Sequence, residues 1–104
     1  MVSYLLLYSG GSMPETEEEQ AQVMKAWTDW FGRLGGALKD GGNPFTPGAK
    51  TIKADGSVSN GAAPASGYSV IQAGSLDDAV SLAKGCPVLR GGASVSVYET
   101  FEVM

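Results

Sequence analysis

An α+β fold, with two helices laid against one face of a mostly antiparallel sheet, is predicted by three features of this 104-residue chain. Two amphipathic helix patterns, each opened by a capping box, alternate with strand patterns in the order strand, helix, strand, hairpin, strand, helix, strand. Fifteen glycines, about twice the ordinary share of ~7%, imply that tight turns join these elements. The length fits one domain over residues 1–104 with a single modest core.

Val2 to Tyr8, "VSYLLLY", is apolar on both alternating faces and is predicted to be a central strand covered on both sides. After "SGGSMP", Thr16 and Glu19 form a capping box, and Glu15, Glu17 and Glu18 suit the positive end of a helix dipole. Val23, Trp27, Trp30, Phe31 and Leu34 then recur at spacings of three and four, one apolar face that must pack on a sheet, and Gly35 and Gly36 end the helix. Ala37 to Lys39 starts a second strand. Asp55-Gly56, inside "KTIKADGSVSN", marks an exposed hairpin, and Ser59 to Ser66 reads as a loop.

Tyr68 to Ala73, "YSVIQA", is a further strand. Ser75 with Asp78 repeats the capping box ahead of Leu76, Ala79, Val80 and Ala83, a short helix closed by Gly85 and Pro87. Ala93, Val95, Val97, Phe101 and Val103 alternate with Ser94, Ser96, Thr100 and Glu102, with Glu99 breaking the pattern, so the chain is expected to end in a long strand with one wet face. This order is that of a ferredoxin-like sandwich. Its second sheet face is bare, and a second copy of the chain is the natural cover, so a homodimer is expected.

Composition narrows the partners. Hydrophobic residues at 43% exclude a chain disordered by composition, and a net charge of −4 argues against nucleic acid or an anionic membrane surface. No apolar run reaches the roughly 20 residues of a membrane span, and the N-terminal "MVSYLLLYSGG" lacks a basic n-region, so a cytoplasmic address is the expectation. The single cysteine rules out an internal disulfide and fits a reducing compartment.

The segments "YLLLY", "GGALKDGGNPFTP", "GYSVIQAGSLDDAVSLAKGCP" and "GGASVSVYETFEV", in that order across nearly the whole chain, resemble the YCII-related, DGPF-type domain family. The resemblance implies a dimeric α/β-barrel-like assembly in which two sheets face each other. The family's Asp-Gly-Pro-Phe corresponds to "DGSV" at Asp55 to Val58, where only the turn-forming Asp-Gly half is kept. Enzyme-like relatives pair a histidine on the first helix with an aspartate in a cleft. This chain has no histidine, while Asp40 falls near the position of the family aspartate.

Asp40, in "LKDGGNPFTPG", therefore has two readings. A carboxylate at the mouth of a cleft between the first helix and the sheet can act as a general base when desolvated. Alternatively, Asp40, Gly41, Gly42, Asn43 and Pro44 are turn chemistry, with Asp and Asn bonding nearby amides. Trp27 and Trp30 line a ligand pocket or, as aromatics at helical spacing more often do, fill the core.

Other motifs carry less. "YSGGSMPETEE" has the layout of a phosphate cradle but lacks G-x-x-x-x-G-K-[ST], and its glutamates repel anions. Cys86 follows a helix C-terminus with no activating base and reads as a small buried hydrophobe. "RGG" at Arg90 reads as a turn. No set of zinc ligands is present, and no cofactor or metal is expected. The function that fits is a non-catalytic module binding a small ligand, in the cleft between the first helix and the sheet, or a protein partner. The alternative is a lyase or isomerase acting on a small aromatic or carbonyl substrate, with Asp40 as base, Arg33 or Arg90 as electrostatic partner and Tyr8 or Tyr68 as hydrogen-bond donor.

Overall fold

The two-residue period of the first strand organises the molecule. In the computed structural model, which describes residues 2–10, 15–62 and 64–102, Val2–Ser9 (β1) lies inside a four-stranded sheet. It pairs antiparallel with Gly67–Ala73 (β5) on one side and Ser94–Glu99 (β6) on the other, and Leu38–Asp40 (β2) adds to the outer edge of β5, giving the order β2-β5-β1-β6. Because side chains alternate across a strand, Tyr4, Leu6 and Tyr8 share one face with Ser69 and Ile71, while Leu5 and Leu7 share the other with Tyr68 and Val70. The first set is buried and the second only half-buried. β1 is thus central but covered on one side, not two: both helices lie over the Tyr4 face, and the Leu5 face is open.

Glu17–Leu34 (α1) begins where the capping box predicts. Thr16 Oγ1 accepts from the Glu19 amide at 3.0 Å, and the Glu19 carboxylate reaches back to the Glu15 amide at 2.9 Å. Gly35, at φ 53°, ends the helix and donates to the Phe31 carbonyl. Leu76–Ala83 (α2) is capped by Ser75, whose hydroxyl accepts from the Asp78 amide. Trp30 is 2% exposed and donates its indole N–H to the Leu82 carbonyl at 3.2 Å, so its polar edge is satisfied while it ties α1 to α2. The buried stripe of α1 starts at Trp27 rather than at Val23, because the first half of the helix extends beyond its covering and leaves Val23 and Met24 exposed.

Several boundaries differ from those predicted. Gly35–Ala37 forms a 3₁₀ turn, delaying β2 to Leu38. The predicted hairpin is present as Lys50–Ile52 (β3) and Val58–Asn60 (β4), so Ser59 and Asn60 belong to a strand and not to a loop. Its turn is closed by Lys53 N–H to the Ser57 carbonyl, and the Ser57 hydroxyl and amide hold the Asp55 carboxyl below the usual carboxylate range. Pro87 opens a 3₁₀ segment, Pro87–Gly91, where its missing N–H goes unneeded. β6 stops at Glu99: the Thr100 amide and hydroxyl both turn onto the Ser3 carbonyl, and Phe101 is left 84% exposed. Residues 11–14 of "SGGSMP", and Val103 of the predicted last strand, lie outside the described residues.

The core holds Tyr4, Leu6, Tyr8, Trp30, Ile71, Ala79 and Cys86 between sheet and helices. It contains one polar relay, in which the Tyr8 hydroxyl donates to Ser69 Oγ at 2.7 Å and Ser69 Oγ donates to the Gly41 carbonyl at 2.8 Å. Burial pushes the Tyr8 phenol well above its ordinary range, the Ser69 bond opposing it. Burial likewise raises the Cys86 thiol, with the Val88 backbone amide opposing it. Past β2 the chain stays alongside the edge of β5 as far as the Pro44–Gly67 bridge, and at Gly42 (φ 71°) an added Cβ would overlap the Tyr68 carbonyl oxygen.

Two predictions follow from the core and the edge segment. Both Tyr8 and Cys86 are neutral when protonated and hold their protons more tightly folded than unfolded. Their contribution to stability is therefore complete below about pH 8.5 and is lost as pH rises through the ordinary thiol and then phenol ranges. Melting temperature should fall between pH 8 and pH 10.5, and Cys86→Ala should flatten the first part of that fall; a wild-type melt independent of pH in this window would contradict the burial of both groups. Gly42→Ala forces both a positive φ and a backbone overlap, and urea titration should show a loss of about 3 kcal/mol or more. Gly48→Ala, whose Cβ meets only the Thr46 hydroxyl at 3.5 Å, should change stability by less than about 1 kcal/mol.

Candidate functional site

Asp40 closes β2 just past a register shift between Leu38 and Asp40, which pairs it with Val70 and so sets it on the open face, opposite to Leu38 beside Ile71. One of its carboxylate oxygens accepts from the Gly42 amide at 2.8 Å, an Asx turn that sets the chain toward β5. The other faces the Tyr68 hydroxyl at 3.4 Å. Phe45 stacks on the Tyr68 ring, with centroids 5.9 Å apart and planes 25° from parallel. Its backbone is pinned there by Phe45 N–H to the Ser66 carbonyl and by the Pro44–Gly67 bridge. Asp40, Tyr68 and Phe45 form an exposed polar and aromatic corner at the β2 end of the open sheet face.

The sequence-predicted site residues divide between the two faces of the sheet. Tyr68 is opposite Leu7 and Tyr8 opposite Gly67 in the same ladder, so the two phenols point to opposite sides. Tyr8 packs edge-on against Trp27 at 5.6 Å, Trp27 against Trp30 at 5.6 Å, and Phe31 tilts against both tryptophans. These rings fill the space between α1 and the sheet. Trp30 is core, Trp27 is half-buried at its margin, and the Tyr8 hydroxyl is committed to Ser69. Arg33 in the last turn of α1 and Arg90 near the end of the Pro87–Gly91 segment are both exposed. Asp40 is thus brought to Tyr68 and not to Tyr8.

Two shallow grooves open on the helix side. One, of about 440 Å³, is bordered by Gly36, Gln72, Asp78 and Ser81; the other, of about 380 Å³, is bordered by Leu76, Val80, Leu89 and Val97. None of Asp40, Tyr8, Trp27, Tyr68, Arg33 and Arg90 lines either one. Among the described residues, no three His, Cys, Asp or Glu side chains converge in a way that would hold a metal ion. No helix there is long and apolar enough to cross a membrane.

Phe45 and Ser69 were not singled out by the sequence. Phe45 sits in "NPFTP", where a lone aromatic between prolines is a signal for a ring held in a fixed loop. Ser69 reads as an ordinary polar strand residue. Its one hint is that an inward Tyr8 needs a buried partner for its hydroxyl.

No family model matches this chain, and no curated protein does. Among solved structures the chain is similar to the 5-chloro-2-hydroxyhydroquinone dehydrochlorinase of Burkholderia phenoliruptrix AC1100, determined in complex with 2,5-dihydroxybenzoquinone. The TM-score is 0.53 at 20% sequence identity, over 95% of this chain and 93% of that one. At that identity the likeness speaks for the fold, and with the sheet order described above it makes this an α+β protein of the ferredoxin-like kind.

Proposed function

We propose that this protein is a homodimeric small-ligand-binding module of the YCII-related, DGPF-type family, and that its ligand is a small planar aromatic bearing hydroxyl or carbonyl groups. The observation that carries the reading is the corner where Asp40 and Tyr68 meet beside the stacked Phe45 ring. The carboxylate accepts from a ligand hydroxyl, the phenol donates to a ligand oxygen, and the ring pair offers an aromatic face. The chlorohydroquinone after which the dehydrochlorinase is named is of this chemical class, and the quinone in its structure shares the planar six-membered ring and the oxygen substituents. Binding rather than turnover is favoured because the Asp40 carboxylate is exposed and engaged by its own turn, and the chain has no histidine to partner it.

A second reading, a lyase or isomerase, is supported by the same pair. In it Asp40 removes a proton from the substrate and Tyr68, 3.4 Å from the carboxylate, hydrogen-bonds the oxygen on which charge develops. The solved neighbour being a dehydrochlorinase favours this class as the alternative.

Anaerobic calorimetric titration with 5-chloro-2-hydroxyhydroquinone, whose phenolic hydroxyls can donate to a carboxylate near neutral pH, should give saturable binding that Asp40→Asn weakens about tenfold, the loss of a charge-assisted hydrogen bond. The variant should keep its stability within about 1 kcal/mol, because Asn sustains the Asx turn. Equal binding by wild type and Asp40→Asn would remove Asp40 from the site, and release of chloride from the chlorohydroquinone by wild type alone would establish the lyase reading instead. Assembly is checked separately: light scattering behind size exclusion should return twice the monomer mass, and a monomer at micromolar concentration would refute the dimer.

A further inference from the structure

The hairpin β3–β4 is at odds with its own chain. Two-stranded hairpins are marginal in water unless a hydrophobic face is packed on something, yet this one has a complete ladder and a closed turn. Among the described residues its strands pack substantially only on each other. Ile52 and Val58 are direct cross-strand partners, so their side chains stand on one face, and they are 74% and 59% exposed. The radius of gyration is 15.2 Å, against about 13 Å for a compact chain of this length, as a projecting arm requires.

The same arm face carries a charge signal. Lys50 lies two residues before Ile52 and so shares its face, opposite Asn60. That face is basic and apolar in a chain of net charge −4. The open side of the main sheet is its complement: Leu5, Leu7 and Val70 lie half-buried at its centre, and Asp40 is at its β2 edge. A face of three half-buried aliphatic side chains flanked by a carboxylate matches two exposed aliphatic side chains flanked by an ammonium.

We infer that the hairpin is an exchanged arm: the Lys50, Ile52 and Val58 face of one copy seats on the open sheet face of a second copy, beside Asp40 and Tyr68 of the partner subunit, and forms one wall of the ligand corner. The inference rests on the homodimer reading above and adds to it that each ligand site is incomplete without the partner's arm. The apolar pair loses its exposure, the bare sheet face gains part of its cover, and Lys50 faces a carboxylate in place of water.

The test uses the whole 104-residue chain. Ile52→Thr/Val58→Thr keeps β-branched side chains in the ladder, so the hairpin itself is preserved. Sedimentation equilibrium should show the dimer of this variant dissociating at least tenfold more readily than wild type, and calorimetry should show chlorohydroquinone binding weakened in parallel. Mixed oxidation of an Ile52→Cys copy with a Leu7→Cys copy should give an inter-chain disulfide, with the buried native Cys86 silent. An Ile52→Cys copy mixed with Met24→Cys, on the outer surface of α1, should not cross-link. If the wild type is a dimer and the double variant dimerises as tightly, or if the cross-link forms to position 24 instead of 7, the arm is wrong while the dimer stands. If the wild type is a monomer, the dimer and the arm fail together.

Discussion

The buried relay from Tyr8 through Ser69 to the Gly41 carbonyl is the constraint on which the rest depends. Tyr8 belongs to β1, Ser69 to β5 and Gly41 to the irregular edge segment after β2, so two hydrogen bonds fix three segments relative to one another. Ser69 is fully buried, and its hydroxyl both accepts and donates. Removing it would strand a phenol and a carbonyl inside the core, each at a cost of about 1–3 kcal/mol. With Gly41 held, Gly42 must pass over the Tyr68 carbonyl at a distance that excludes any side chain, and Asp40 is left at the rim with its carboxylate turned to Tyr68. The position of the candidate site is in this sense a consequence of core packing on the opposite face of the sheet.

Most of the fold was legible because its signals are local. Thr16 with Glu19 and Ser75 with Asp78 mark helix starts through bonds spanning three residues, and those bonds are present. The strand patterns, the Asp55-Gly56 turn and the glycine end of α1 are equally short in range. Where prediction failed, a longer-range contact decided. β6 was expected to run on through Phe101, but the Ser3 carbonyl captures both Thr100 donors and ends it. Val23 satisfies the helical spacing of the apolar stripe, yet the sheet does not extend beneath it.

The site was less legible for a reason peculiar to sheets. Whether Tyr8 and Tyr68 can meet one ligand depends on pairing register, and a shift of one residue exchanges the faces. Sequence alone supplied both phenols as candidate donors. The ladder sets Tyr8 opposite Gly67 and thereby sends Tyr68 to the other side. Arg33 and Arg90 raise the same difficulty, since a charged residue at the end of a helical segment reads alike whether it faces a site or water.

The two sheet faces explain why so acidic and small a chain can keep one side uncovered. Between α1 and the sheet the helix side is filled by large rings, Tyr4, Tyr8, Trp27, Trp30 and Phe31, and its two grooves lie away from Asp40 and Tyr68. The open side has aliphatic residues at its centre and hydrogen-bonding groups at its edge, the composition of a surface that both packs on protein and contacts a polar molecule. A catalytic base needs isolation from water to work near neutral pH. Asp40 on a single copy has none, so any chemistry at this corner requires a cover over it, and binding without chemistry requires only the groups already in place.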